Sequence, residues 1–138
     1  MEWFDLGAIN WWAVVVAFVL SFGLGWLWYS PQGFFVPWKR AAGFTDEQMR
    51  EADMGIAFAG TVVANVLGVL LLAVLMAAAD VSGGWQGLAF GAIVGLVFRG
   101  GAHALHNGFA IRKPLVTVID AAHDTVALAL AGLVIGLM

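Results

Sequence analysis

The run GIAFAGTVVANVLGVLLLAVLMAAA, residues 55–79, contains no charged residue. A helix of about 20 apolar residues is long enough to cross the hydrocarbon core of a bilayer, so this run predicts a membrane-spanning helix. Three further apolar runs accompany it, at about residues 10–29, 85–106 and 114–137. The sequence therefore predicts four membrane spans.

The overall composition supports this interpretation. Hydrophobic residues make up 62% of the chain and charged residues 11%, whereas soluble domains average about 45–50% apolar and about 25% charged. The runs do not alternate between polar and apolar positions, as the strands of a membrane β-barrel would. We expect an all-α integral membrane four-helix bundle that forms one domain over residues 1–138. The short connections at 80–84 and 107–113 predict that neighbouring helices are antiparallel.

The positions of the basic residues predict the orientation. Five of the six lie in the connections after the first and third spans: Lys39, Arg40, Arg50, Arg112 and Lys113. Short connections rich in Lys and Arg stay in the cytoplasm, so both termini should lie outside. The first 38 residues contain no Lys or Arg, so no basic cleavable leader is expected. In the long connection 30–54, Thr45 and Gln48 have the spacing of a capping box, which predicts a short amphipathic helical turn. The spacing leaves open whether this turn continues into the second span.

The third span turns polar along its length, in the stretch LVFRGGAHALHN at residues 96–107. Gly87, Gly91 and Gly95 recur every four residues, a small-residue stripe that allows another helix to approach closely. Continued at the same spacing, this stripe reaches Arg99 and then His103. These side chains are therefore predicted to face another helix rather than lipid.

The fourth span carries complementary groups. Asp120, His123 and Asp124 share one helix face. At a rise of 1.5 Å per residue, Arg99 and Asp124 lie roughly 15 Å from the 107–113 connection, and His103 and Asp120 roughly 9 Å. We therefore predict one polar binding layer in the inner half of the bilayer. Its members are Arg99, His103, Asp120, His123 and Asp124, with Asn65 from the second span.

The charges of this layer do not balance. An ionised side chain deep in a membrane helix is costly unless it is paired or hydrated. Arg99 is expected to neutralise Asp124, which leaves Asp120 uncompensated. Asp120 with His103 and His123 is then the expected exchangeable site for a proton or a small cation. The leading interpretation is a small oligomeric transporter or channel-like protein.

Two other interpretations remain open. The charged pairs are also suited to fastening helices together, which fits a non-catalytic scaffold or an accessory subunit of a larger membrane complex. A third interpretation is an intramembrane metal-binding protein or enzyme. A divalent ion such as zinc suits nitrogen and oxygen ligands, although Arg99 would repel it. The candidate ligands are His103, His106, Asp120, His123 and Asp124. No nucleophile motif accompanies them, so the sequence favours a protein that is not an enzyme.

The sequence also limits the partners. A net charge of −3 argues against a nucleic-acid partner. The expected partners are the lipid bilayer, a small ion or proton, a bound lipid and further copies of the same chain. A homo-oligomer is expected because four short helices enclose little interior, and small residues such as Gly60, Gly68 and Gly132 allow close helix contacts.

Several motifs together resemble a known family. They are Asn10-Trp11 at the start of the first span, Trp28-Tyr29-Ser30-Pro31 at its end, then Phe35, Trp38 and Gly43, and finally Arg112-Lys113-Pro114-Leu115 and His123. In these positions the chain resembles the small bacterial membrane proteins of domain of unknown function family 1761. The resemblance implies a four-helix membrane bundle and a location in a bacterial inner membrane. It implies no particular activity.

Overall fold

The computed structural model describes residues 5–138, which contain helices and turns and no strand. This confirms the prediction of an all-α protein. The helices are α1 (Trp11–Trp28), α2 (Phe35–Ala42), α3 (Asp46–Glu51), α4 (Met54–Ala78), α5 (Gly84–Phe109) and α6 (Pro114–Leu137), with a short 3₁₀ turn at Leu6–Ala8. By length and composition, α1, α4, α5 and α6 are able to cross a membrane. They indicate a multi-pass membrane protein.

Local sequence signals explain where the long helices begin. The side chain of Asn10 accepts hydrogen bonds from the backbone N–H groups of Trp12 and Ala13, and so caps α1. Asp53 caps α4 in the same way through the N–H of Gly55. Pro114 is the first residue of α6, where its missing N–H costs nothing.

The connection between the first two spans contains two helices, α2 and α3, where a single helical turn was predicted. The capping box forms, because Thr45 Oγ1 accepts from the Gln48 N–H and Gln48 Oε1 accepts from the Thr45 N–H. Lys39 of α2 and Asp46 of α3 form an ion pair. Ala52 is extended, so α3 does not continue into α4.

The close contact between α5 and α6 is made backbone to backbone. A Cβ atom on Gly87 would lie 2.0 Å from the carbonyl oxygen of Gly132, and one on Gly91 would lie 2.0 Å from that of Leu128. At Gly95 the nearest atom is Cα of Thr125, at 2.8 Å. Any side chain at these positions would force the helices apart, so the glycine stripe is the contact surface of α5.

A π-helical segment, Gly95–Gly100, interrupts α5 directly after this stripe. A π-turn contains about one residue more than an α-turn. The next residue of α5 that is buried against α6 is therefore Gly100, whose Cβ position lies 3.4 Å from Cβ of Ala121. Regular α-helical spacing would have put Arg99 there. The extra residue instead leaves Arg99 beside the contact surface.

The two ends of the bundle differ. At the basic end, defined by residues 29–53 and 110–113, Arg40 and Lys113 line one small pocket. At the opposite end, Asn10 Nδ2 donates to the carbonyl of Met138 at 3.1 Å. The buried apolar core lies toward that opposite end and consists mainly of Val14, Ala17, Val69, Leu72, Val74, Met76, Leu128 and Ala131.

The half of α4 near the basic end is hardly covered. Residues 54–67 are all exposed except Asn65, which is half-buried. The third long helix ends at Phe109 rather than at about residue 106, so Asn107 belongs with His106 to its last turns. Only residues 110–113 connect α5 to α6, with Ile111 at a φ of 54°. The bundle is therefore closed at one end and open toward the other.

Candidate functional site

A cavity of about 440 Å³ lies in the open half of the bundle and is lined by all four long helices. One group of lining residues is polar: Ser21, Tyr29, Thr61, Asn65, Arg99, His103, His123 and Asp124. The other group is small or apolar: Ala57, Gly60, Ala64, Ala127 and Leu128. The cavity therefore has a polar floor from α5 and α6 and a largely apolar wall from α4.

Asp124 is the centre of the polar floor. Its Oδ2 lies 3.1 Å from Nε of Arg99 and 3.1 Å from Nε2 of His103, and its Oδ1 lies 3.0 Å from Nδ1 of His123. Only 11% of the Asp124 side chain is exposed. One carboxylate is thus held by a guanidinium and two imidazoles, and the contact between Arg99 and Asp124 is the one expected from the sequence.

The two histidines are in different surroundings. An ionised Asp124 only accepts hydrogen bonds, so each histidine presents an N–H to it and carries its other nitrogen as a free acceptor when neutral. For His123 this other nitrogen, Nε2, is buried without a hydrogen-bond partner among residues 5–138. It lies 3.1 Å from where a Cβ on Gly25 would be, and the imidazole contacts the rings of Trp28 and Tyr29.

His103 is more open. Its side chain is 34% exposed. Its Nδ1 is neither buried nor hydrogen-bonded within residues 5–138. His103 lines the cavity, and of the two histidines that contact Asp124 it is the one whose second ring nitrogen is not buried.

Asp120 does not join the two histidines, contrary to the expectation from helix depth. Its Oδ1 accepts a hydrogen bond from the Tyr29 hydroxyl at 2.7 Å. Side chains lean toward the N-terminus of their own helix. Since α5 ends at the basic end and α6 begins there, His103 leans away from that end and both aspartates lean toward it. His103 therefore contacts Asp124. Asp120 extends toward the basic end, past His103, and contacts Tyr29.

Arg99 owes its position to the π-segment. Its side chain is 36% exposed, and Nη1 lies 3.5 Å from where a Cβ on Gly68 would be. Within residues 5–138 the guanidinium contacts Asp124 through Nε, while neither Nη group donates a hydrogen bond. The outer edge of the guanidinium is therefore available to a ligand in the cavity.

Asn65 lies in the cavity wall, as its inclusion in the polar layer predicted. Its Oδ1 is 3.3 Å from Oγ of Ser21, which donates to the Ala17 carbonyl at 2.6 Å. This contact joins α4 to α1 at the place where α4 begins to separate from the other helices. Asn65 thus marks the boundary between the closed and the open half.

The predicted metal ligands do not come together as one group. His106 is exposed on the last turns of α5 and does not line the cavity, and Asp120 is bound to Tyr29. Within residues 5–138 no three His, Asp or Glu side chains are arranged to hold a metal ion. The three-residue spacing of His103 and His106 does not produce chelation, because His103 is turned toward Asp124.

Sequence reasoning missed Tyr29 as a member of the site. Its place beside Trp28 at the end of the first span is typical of the aromatic residues at a membrane interface. The position of Tyr29 in the sequence could have indicated this contact, because Tyr29 follows the first span at the same end of the bundle as Asp120. A phenol at the end of one helix and a carboxylate in the first turns of another are within reach when those helices are neighbours.

Comparison of the sequence with known protein families assigns the chain to one of them. The model of one family matches residues 12–136, which is nearly the whole chain. No curated protein and no solved structure matches it. The chain belongs to the family described as "Protein of unknown function (DUF1761)", as the motifs of the sequence indicated.

Proposed function

We propose that the protein is a small membrane transporter or channel-like protein that takes up a proton in its cavity. One observation carries the proposal: Asp124, His103 and His123 form a hydrogen-bonded triad in a cavity to which His103 remains open. Histidine has an ordinary pKa of about 6.5 and so exchanges protons near physiological pH.

The two histidines have separate roles in this proposal. A proton added to Nδ1 of His103 leaves the contact of its Nε2 with Asp124 intact. A proton added to Nε2 of His123 would create a buried N–H without an acceptor, which is unfavourable. His103 is therefore the exchanging group and His123 the fixed one. Arg99 balances the charge of Asp124.

A proton at this place, rather than a metal cation, fits the charge of the floor. Arg99 already occupies the position nearest Asp124 Oδ2 together with His103. An added cation would meet the guanidinium before it met an unshared carboxylate oxygen. This revises the expectation of an exchangeable site at Asp120.

The arrangement in the membrane belongs to the same proposal. Antiparallel neighbours are supported by the opposed contacts of Gly87 with Gly132 and Gly95 with Thr125. The basic end would face the cytoplasm of a bacterium, because connections rich in Lys and Arg stay on the cytoplasmic side of the inner membrane. Both termini would then lie on the outer side. A second copy would cover part of the exposed surface of α4, which supports a homo-oligomer.

The test is proton flux into proteoliposomes that enclose a pH-sensitive dye. We expect His103→Gln to lower the flux about tenfold, since Gln keeps an N–H for Asp124 but has no group that titrates. His106→Gln is the matched control, because His106 lies three residues further along α5, outside the cavity. Equal flux in wild type and His103→Gln would refute the proposal and favour the scaffold interpretation. An equal loss in His106→Gln would refute the assignment to His103.

A further inference from the structure

The proposed proton site becomes charged when it is occupied. With both histidines neutral, Arg99 and Asp124 give the floor no net charge, and a proton on His103 makes it +1. A single uncompensated charge among membrane-spanning helices is costly. A negative charge close to His103 and Arg99 would therefore stabilise the occupied site.

No side chain that lines the cavity supplies this charge. The end of α1 contributes Tyr29, whose hydroxyl is neutral at physiological pH, and α4 contributes only the uncharged Thr61 and Asn65. From α6, Asp124 is already balanced by Arg99. Asp120 carries a further negative charge, but Tyr29 holds it outside the cavity. A negative charge in direct contact with His103 and Arg99 would then come from a ligand.

The guanidinium of Arg99 offers the matching contact. Both Nη groups are free of hydrogen bonds within residues 5–138, and Nη1 faces Gly68 of α4, where no side chain stands in the way. A guanidinium edge with free N–H groups binds carboxylate or phosphate oxygens in a bidentate manner. His103 lines the same cavity, so one anion is able to face both groups.

The shape of the cavity specifies the rest of the ligand. Its volume of about 440 Å³ lies in the range of small-molecule pockets. Ala57, Gly60 and Ala64 of α4 form one wall, and a Cβ on Gly60 would meet nothing within 4 Å. We infer that the cavity binds an organic monoanion, whose anionic oxygen group contacts Arg99 and whose apolar body lies against α4, together with one proton on His103.

This inference rests on the proposed function, since it assigns a co-substrate to the same proton. Two sources share the chemistry: a soluble organic acid and the headgroup of an anionic lipid that enters beside the exposed half of α4. The experiment uses one probe for each, benzoate and phosphatidylglycerol.

Benzoate binding to the purified full chain in a neutral detergent is measured by titration calorimetry at about pH 7.5, above the ordinary histidine pKa of about 6.5. Repeating the titration in buffers of different ionisation enthalpy gives the number of protons taken up. We expect uptake approaching one proton per benzoate and affinity that rises as the pH falls. Retention of phosphatidylglycerol is followed in parallel by native mass spectrometry.

Three variants locate the site. Arg99→Lys keeps the positive charge but loses the two parallel N–H donors of the guanidinium, so benzoate affinity should fall about tenfold. Gly60→Leu fills the cavity without altering a charge and should abolish binding. Gly23→Leu is its matched control, because Gly23 is an exposed α1 glycine with nothing within 4 Å of its Cβ position and does not line the cavity. It should bind benzoate as the wild type does.

Each outcome decides the inference. Benzoate binding with proton uptake, lost in Gly60→Leu, supports a soluble acid, and Arg99-dependent retention of phosphatidylglycerol alone supports a headgroup. Binding of neither probe while His103-dependent proton flux persists overturns the inference and leaves the proposed function standing. Benzoate binding without proton uptake overturns the inferred coupling, and binding unaffected by Gly60→Leu overturns the assignment to this cavity.

Discussion

The closed and open halves of the bundle are built from the same helices but held together differently. In the closed half, Gly87 and Gly91 of α5 touch the backbone of α6, and Leu72 and Met76 of α4 are each 1% exposed. In the open half, α5 and α6 meet through Arg99, His103 and Asp124, and α4 stands apart with its side chains exposed. One half thus has backbone contact, and the other has polar side chains around a cavity.

The difference shows how side-chain size divides the bundle. A glycine stripe lets two helix backbones touch, and α4 then packs on the pair through ordinary apolar side chains. Arg99 and His103 are too large for such a contact, and their ionised or polar groups need hydrogen-bonding partners and space. A bundle that closes tightly at one end is thereby able to hold a solvated site at the other.

The largest expected effect comes from Gly91→Ala in the closed half. The new Cβ would lie 2.0 Å from the Leu128 carbonyl oxygen, so α5 and α6 must separate. Overpacking costs typically about 1–3 kcal/mol, and we expect a loss of stability at or above the upper end of this range. Thermal unfolding in detergent measures it. Gly60→Ala is the control, since its Cβ meets nothing within 4 Å, and equal melting temperatures of the two variants would contradict the comparison.

An intermediate effect is expected from the ion pair of the open half. Asp124→Leu or Arg99→Met alone leaves one charged group without its partner and should lower the free energy of unfolding by about 2 kcal/mol. The two substitutions together should restore part of this loss, because an apolar pair needs no compensation, while His103 and His123 still lack the carboxylate that they contact. Proton flux in the double variant should nevertheless stay about tenfold below that of the wild type, as in His103→Gln, since His103 loses its carboxylate. A double variant less stable than either single one would contradict this.

The smallest effect is expected from Tyr29→Phe. It removes the 2.7 Å hydrogen bond to Asp120 and leaves the ring contact with His123 in place. A loss of about 1 kcal/mol is expected, typical of a single hydrogen bond. Flux should change little, because Asp120 does not line the cavity. A loss of flux as large as that of His103→Gln would place Asp120 in the proton path after all.

The features of the fold that the sequence predicts depend on the length of the apolar runs and on the spacing of the small residues. Length and composition alone gave the four long helices, and the glycine stripe identified the face of α5 that meets α6. The contact between Arg99 and Asp124 also followed from counting residues along the two helices. These features depend on helix geometry that is uniform from one turn to the next.

The unpredicted part depends on departures from that uniform geometry. The π-segment Gly95–Gly100 has no periodic signature in the sequence, yet it decides that Gly100 rather than Arg99 is buried against α6. Depth counted along helix axes ignores the lean of side chains, which is why Asp120 was grouped with the histidines. Tyr29 was missed because the angle between α1 and α6 cannot be obtained from either helix alone.

The π-segment has a consequence for aligning this chain with its relatives. A relative of the same length with uninterrupted α-helical winding there would turn the residue four positions after Gly95 toward α6. Its counterpart of Arg99 would then point at the α6 backbone, a place only a small residue can fill. We therefore expect the π-turn and the arginine to be kept or lost together among relatives of this length, so that a local change of winding and a charge are inherited as one character.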